Sequence, residues 1–180
     1  MTMRILGVDL GLARTGLALS DELHITTRAL PNLIPGSRAK DVAALVALVV
    51  AEDVGDVVVG LPLLPSGDDS PMTRRVRGFA LALATALAER GLHTRVFLTD
   101  ERGSSKNASA RLVSSGVPKA RRKGLLDGEA ARTFIEDFVD SAGGSAQRVT
   151  PLDTPPDAPT DAASDAALLE APQPADDGVG

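Results

Sequence analysis

Ile5 to Gly11 and Arg14 to Asp21 read as two largely apolar strands joined by a tight, glycine-marked turn, the pattern of a β-hairpin. Ile25 to Leu30 reads as a third strand, ended by Pro31 and the Pro35-Gly36 turn. The period then changes. Val42, Leu45, Val46, Val49 and Val50 fall at helical spacing, and Ser37 stands where an N-cap belongs. Val57-Val58-Val59 is all apolar, as a parallel strand covered on both faces would be, and it runs out in Gly60-Leu61-Pro62. Ser70-Pro71 supplies a cap and a first-turn proline for a helix that buries Val76, Phe79, Ala80, Leu83 and Leu87 and stops at Gly91.

His93 to Leu98 predicts a fifth strand, followed by Asp100-Glu101-Arg102. A weaker helical pattern covers Ser105 to Ser114, then a basic loop, then a last helix opened by Asp127 with Ala131, Phe134, Ile135 and Phe138 on one face. Strands that alternate with helices after an opening meander indicate an α/β fold, antiparallel at first and parallel afterwards.

Charge divides the chain. Residues 149–180 hold seven acids, no Lys or Arg, and six of the twelve prolines, so they read as a disordered acidic tail. The other 148 residues carry 17 acids against 19 bases, a net of +2. The expected organisation is a domain over 1–141 and a tail over 142–180. Without Cys there are neither disulfides nor thiolate metal sites. The longest apolar run, Val42 to Ala51, is ten residues, too short to span a bilayer, and no apolar leader is seen. The expectation is a soluble cytoplasmic protein with no membrane partner, a monomer or homodimer.

Asp9 is the first candidate for chemistry, because a carboxylate inside an apolar strand needs a cation, a donor or water. An Asp that caps the following turn is the plainer alternative. The Asp100-Glu101 pair at a strand end and Asp127 at a helix start complete three acidic positions. Solvated turn and N-cap roles are open to them as well. Strand ends of an open α/β sheet converge on one rim. Carboxylates gathered there repel one another unless a cation neutralises them, and hard divalent ions such as Mg²⁺ prefer oxygen ligands.

Residues 102–126 contain seven bases and no acid, as a site for a polyanion would require. Arg102, Lys106, Lys119, Arg121, Arg122 and Lys123, with Arg14 in the hairpin turn, are the candidates for phosphate contact. The four Phe read as core, which disfavours base stacking and favours recognition of backbone and shape. His24 and His93 read as ordinary strand residues.

The segments Gly7-Val8-Asp9-Leu10-Gly11, Arg14 to Asp21, Val59-Gly60-Leu61-Pro62-Leu63, Asp100-Glu101-Arg102 and Leu126 to Ala131 resemble, in order, the motif set of the YqgF/RuvX family. The resemblance implies a ribonuclease H-like mixed five-stranded sheet flanked by helices. It implies a bacterial cytoplasmic nuclease that uses Mg²⁺ or Mn²⁺. The family is associated with 5′-end processing of pre-16S ribosomal RNA and with resolving Holliday junctions, so structured RNA and branched DNA are both candidate substrates. Carried over, Asp9, Glu101 and Asp127 form the catalytic, metal-binding triad, with Asp100 as a neighbour. Gly103 stands here where the family usually has Leu. Two other readings belong to different classes: a lobe of an actin-like or sugar-kinase-like ATPase, and a nucleic-acid-binding module without activity.

Overall fold

A computed structural model describes the backbone of residues 3–100, 119–144 and 146–151, and the side chains of the same residues except 119–127. Six strands form one sheet in the order β3-β2-β1-β4-β5-β6. They are β1 (Arg4–Leu10), β2 (Thr15–Ser20), β3 (Thr27–Leu33), β4 (Val54–Leu61), β5 (Arg95–Asp100) and β6 (Gln147–Val149). Three helices are described: α1 (Arg38–Ala51), α2 (Pro71–Glu89) and α3 (Lys119–Asp140). β1, β4 and β5 are parallel, while β2, β3 and β6 are antiparallel to their neighbours. The C-terminal ends of the three parallel strands therefore share one rim.

The caps behave as the sequence indicates. The Ser37 hydroxyl accepts from the Lys40 amide at the start of α1. Ser70 and Thr73 form a reciprocal capping box on α2, with Pro71 in the first turn. The Thr73 hydroxyl also donates to the Pro62 carbonyl, which ties the first turn of α2 to the end of β4. All five α2 residues predicted as its core face are buried. Val50 of α1 is not; it is 59% exposed, and four residues suffice to cover the sheet there.

Each face of the sheet has its own core. Leu6, Val8 and Leu10 of β1 pack with β4 and the inner faces of α1 and α2. On the other face, Ile5, Ala18 and Val58 pack with Ala131, Phe134, Ile135 and Phe138 of α3. Burying one such side chain is worth about 1.5–3 kcal/mol.

Four predicted elements differ from what forms. The sheet has six strands, not five, because Gln147–Val149 adds to the β5 edge, six to eight residues beyond the predicted domain end at 141. β3 does not stop at Pro31 but runs through it to Leu33. The pairing slips between Thr15 and Leu17, which places Pro31 in an irregularity on an edge strand, where a missing amide costs little. The last helix begins at Lys119. Lys119, Arg121, Arg122 and Lys123 therefore lie in its first two turns and not in a loop, and Asp127 is interior to it. The two histidines precede their strands: His24 is in the β2–β3 turn with φ 57°, its ring on the Met3 carbonyl, and His93 lies before β5.

Among the described residues, no helix is long and apolar enough to cross a membrane. The helix predicted over Ser105 to Ser114 lies outside them.

Candidate active site

Alternation along β1 decides where Asp9 points. Leu6, Val8 and Leu10 take the α1/α2 face, and Ile5 and Gly7 the α3 face. Asp9 therefore stands on the α3 face, half-buried, one residue from the end of its strand. The cross-strand register then sets its neighbours. Asp9 pairs with Gly16 of β2. On the other side Val8 pairs with Val59, which pairs with Leu98, so the row through Asp9 continues to Gly60 and Thr99. A glycine thus flanks the aspartate on each side, and no neighbouring side chain in its row competes for the ground beside the carboxylate. Thr99 is buried on the same face. Nothing local in the sequence marks Gly60 and Thr99 as companions of Asp9. Only the pairing of distant strands does.

The hairpin turn beyond Asp9 is closed by the Gly11 amide, which donates to the Asp9 and Arg14 carbonyls. A Cβ on Gly11 would collide with that Arg14 oxygen, so glycine is required there. Arg14 is exposed at the tip of this turn, on the Asp9 rim.

Helix α3 is seated on β1 and β2 by small residues. A Cβ on Gly7 would strike the Ala131 carbonyl, and Gly128 lies against Ala29 and the Leu17 carbonyl. Gly7 and Leu17 adjoin the Asp9–Gly16 pair. Asp127 precedes Gly128 directly and sits one turn before Ala131, so its backbone enters the site region at this contact. Glu129 is held elsewhere, by Arg132 at 3.2 Å.

The remaining predicted residues are distributed as follows. Asp100 ends β5, and alternation puts it on the α1/α2 face, opposite Thr99. Glu101, Arg102 and Lys106 lie outside the described residues. Lys119, Arg121, Arg122 and Lys123 occupy the N-terminal turns of α3, the helix that carries Asp127. Asp21 closes the β2–β3 turn at the far end of the sheet, accepting from the Ile25 amide at 2.8 Å and the Thr26 hydroxyl at 2.9 Å. It is a structural acid. Burial raises its pKa, but the hydrogen bonds from Thr26 and Ile25 outweigh that and hold the carboxyl below 3.8.

Asp9 offers a hard oxygen ligand with glycines on both flanks, which fits a divalent ion. Among the described residues, no group of three acids or histidines gathers around it.

A family model described as "RuvX: Holliday junction resolvase" matches residues 3–141. The chain belongs to the RuvX family. Among curated relatives, one from Anaeromyxobacter dehalogenans strain 2CP-1 is 40% identical over 138 residues, 77% of this chain and 97% of the relative. One from Syntrophus aciditrophicus strain SB is 37% identical over 139 residues, 77% of this chain and 89% of the relative. Both are named "Putative pre-16S rRNA nuclease". The fold is like that of T. thermophilus RuvC solved in complex with a Holliday junction substrate, with TM-score 0.50 and 15% identity, over 82% of this chain and 99% of that one. The RuvX match ends with α3, and β6 lies beyond it.

Proposed function

We propose that this RuvX-family chain is a divalent-metal-dependent endonuclease that hydrolyses phosphodiester bonds in structured nucleic acid, acting in the cytoplasm on the 5′ end of pre-16S rRNA. The observation that carries the reading is the position of Asp9: a half-buried carboxylate at a parallel-strand end, flanked by Gly16 and Gly60, beside the helix that carries Asp127.

In this reading Asp9, Glu101 and Asp127 hold Mg²⁺ or Mn²⁺, and Asp100, which alternation puts on the opposite face of the sheet, lies outside that set. The bound ion would stabilise charge on the scissile phosphate and lower the pKa of an attacking water. The sheet fixes the Asp9 backbone, so its carboxylate is presented without the entropy loss a loop residue would incur. The glycines leave room for a phosphate to come close. Arg14, Arg102, Lys106, Lys119, Arg121, Arg122 and Lys123 bind the substrate backbone as charges, with no base readout.

The family description favours a second reading, resolution of four-way DNA junctions. The ATPase reading is set aside, because the matched family is one of nucleases. One experiment addresses the nuclease readings together. Purified protein and Asp9→Asn are offered a pre-16S rRNA fragment and a four-way DNA junction, each with Mg²⁺, Mn²⁺ or EDTA. The parent is expected to cleave the RNA with metal and not in EDTA. Losing several kcal/mol of electrostatic stabilisation should slow Asp9→Asn by roughly 100-fold or more, with its melting temperature kept. Near-parental turnover by the folded variant would falsify the site. Cleavage of the junction alone would select the second reading, and metal-independent binding without cleavage would leave a binding module.

A further inference from the structure

A second set of cations stands on the same rim, across the sheet from α3. Because β4 ends there and Thr73 is bonded to Pro62, the first turns of α2 are fixed at that rim, with Arg74 exposed and Arg75 half-buried beside Thr73. β3 ends opposite Thr15, next to the Asp9 turn, so α1 also begins at the rim, with Arg38 and Lys40 in its first turn. The Arg38 guanidinium approaches α2 at Gly78, 3.5 Å from where a Cβ would be, one turn from Arg74 and Arg75.

Arg74 and Arg75 do not serve α2. Cations near a helix N-terminus oppose the macrodipole, and α2 has no acid in its first turn to compensate. Arg77, one turn along, shows how a structural arginine behaves here: it is paired with Asp69 at 3.1 Å and bonded to Gln147. Arg74 reaches only as far as the Asp69 carbonyl, at 3.5 Å, and Arg75 has no hydrogen bond or ion pair among the described residues. The nearby acids are already engaged, among them Asp100, which ends β5 on this face and, like Arg38, has a partner. Asp41 accepts from the Gly36 amide, Asp68 from Ser66, and Asp69 from Arg77.

We infer that Arg74 and Arg75, with Lys40 beside them, form a second phosphate-binding surface that holds a segment of the structured nucleic acid flanking the strand at Asp9. A polyanion lying over the end of the sheet meets α3 and Asp9 on one side and this patch on the other. A single strand confined to the Asp9 side does not reach it. The substrate class is thereby narrowed to duplex-bearing or branched nucleic acid. The inference rests on the proposed nuclease site for its orientation, but its test does not require cleavage.

Binding is measured in EDTA at several salt concentrations for the parent, Arg74→Ala/Arg75→Ala and Arg74→Lys/Arg75→Lys. The probes are an RNA hairpin with a single-stranded flank, and a short single-stranded RNA. Each phosphate contact contributes roughly 0.7–0.9 to the slope of log affinity against log salt, so the Ala pair should flatten it by roughly 1.4–1.8 for the hairpin. The parent's advantage would then shrink roughly ninefold between 50 and 200 mM salt. The Lys pair should keep the slope, since a point charge suffices for phosphate, and the short RNA should be little affected. Melting temperature should not fall in the Ala pair; if it does, Arg74→Gln and Arg75→Gln are compared singly. An unchanged hairpin slope overturns the inference, and so does an equal loss for the short RNA, which would put both arginines on the cleaved strand. Failure of Asp9→Asn to slow cleavage would overturn the nuclease site and leave these slopes standing.

Discussion

The two ends of the sheet treat charge in opposite ways. At the N-terminal end of the parallel strands, cations meet carboxylates of the same chain. Arg4 pairs with Glu52 at 3.2 Å and with Glu22 at 3.5 Å, Arg28 with Glu52 at 3.1 Å, and Arg95 with Asp56 at 2.6 Å. Asp21 is saturated by its own turn. At the C-terminal end, Arg14 is exposed on a turn, Arg75 has no partner among the described residues, and Asp9 stands between glycines. Four ion pairs of the chain gather at one end, while the other keeps two arginines, Arg14 and Arg75, without one among the described residues, as the proposed phosphate contacts require. In the proposed reading the matched end holds the structure together, and the other is where substrate supplies the opposite charge.

Three substitutions test that contrast. The largest effect is expected from Gly7→Ala, which drives a methyl into the Ala131 carbonyl and lifts α3, with Asp127, off the Asp9 strand. Overpacking of this kind costs about 1–3 kcal/mol. Cleavage should fall further than the loss of folded protein accounts for, which activity and thermal melting on the same sample will show. An activity loss that merely follows unfolding would mean that α3 is only a cover.

Asp56→Ala acts at the matched end. It removes a bidentate partner from Arg95, whose side chain is 52% exposed and also lies 5.7 Å from the centre of the Phe97 ring. Water screens this pair, so the expected cost is about 1 kcal/mol. Chemical denaturation will show it, and cleavage should stay at the parental rate. A rate change would break the division of labour between the two ends.

The smallest effect is expected from Asp21→Asn. A carboxyl held below its ordinary value in the folded chain contributes stability above its unfolded pKa and loses it as the pH falls through the folded value. At neutral pH the variant should be slightly less stable than the parent, and the gap should close as acid protonates the Asp21 carboxyl. A gap that persists in acid would mean that the turn depends on the shape of the side chain and not on its charge.

Much of this was written locally in the chain. Ser37 and Ser70-Pro71 mark helix starts because a hydroxyl beside free amides, or a proline with no amide to spare, acts within one turn. The faces of α2 and of the last helix follow from spacing alone, and Asp9 is conspicuous in any strand of apolar neighbours. Other features needed the whole molecule. Gln147–Val149 has no periodicity to announce a strand and becomes one because β5 offers an open edge. Pro31 stays in β3 because that strand is an edge, a fact about neighbours and not about proline. Asp127 looked like a helix cap, yet α3 has already run two turns from Lys119 before reaching it. Gly16 faces Asp9 across the hairpin, but Gly60 and Thr99 joined that row only when β4 and β5, far along the chain, took their register. Caps and periodicities act over one turn of chain. Registers and edges are settled by hydrogen-bond partners tens of residues away, and local sequence does not encode which partners those will be.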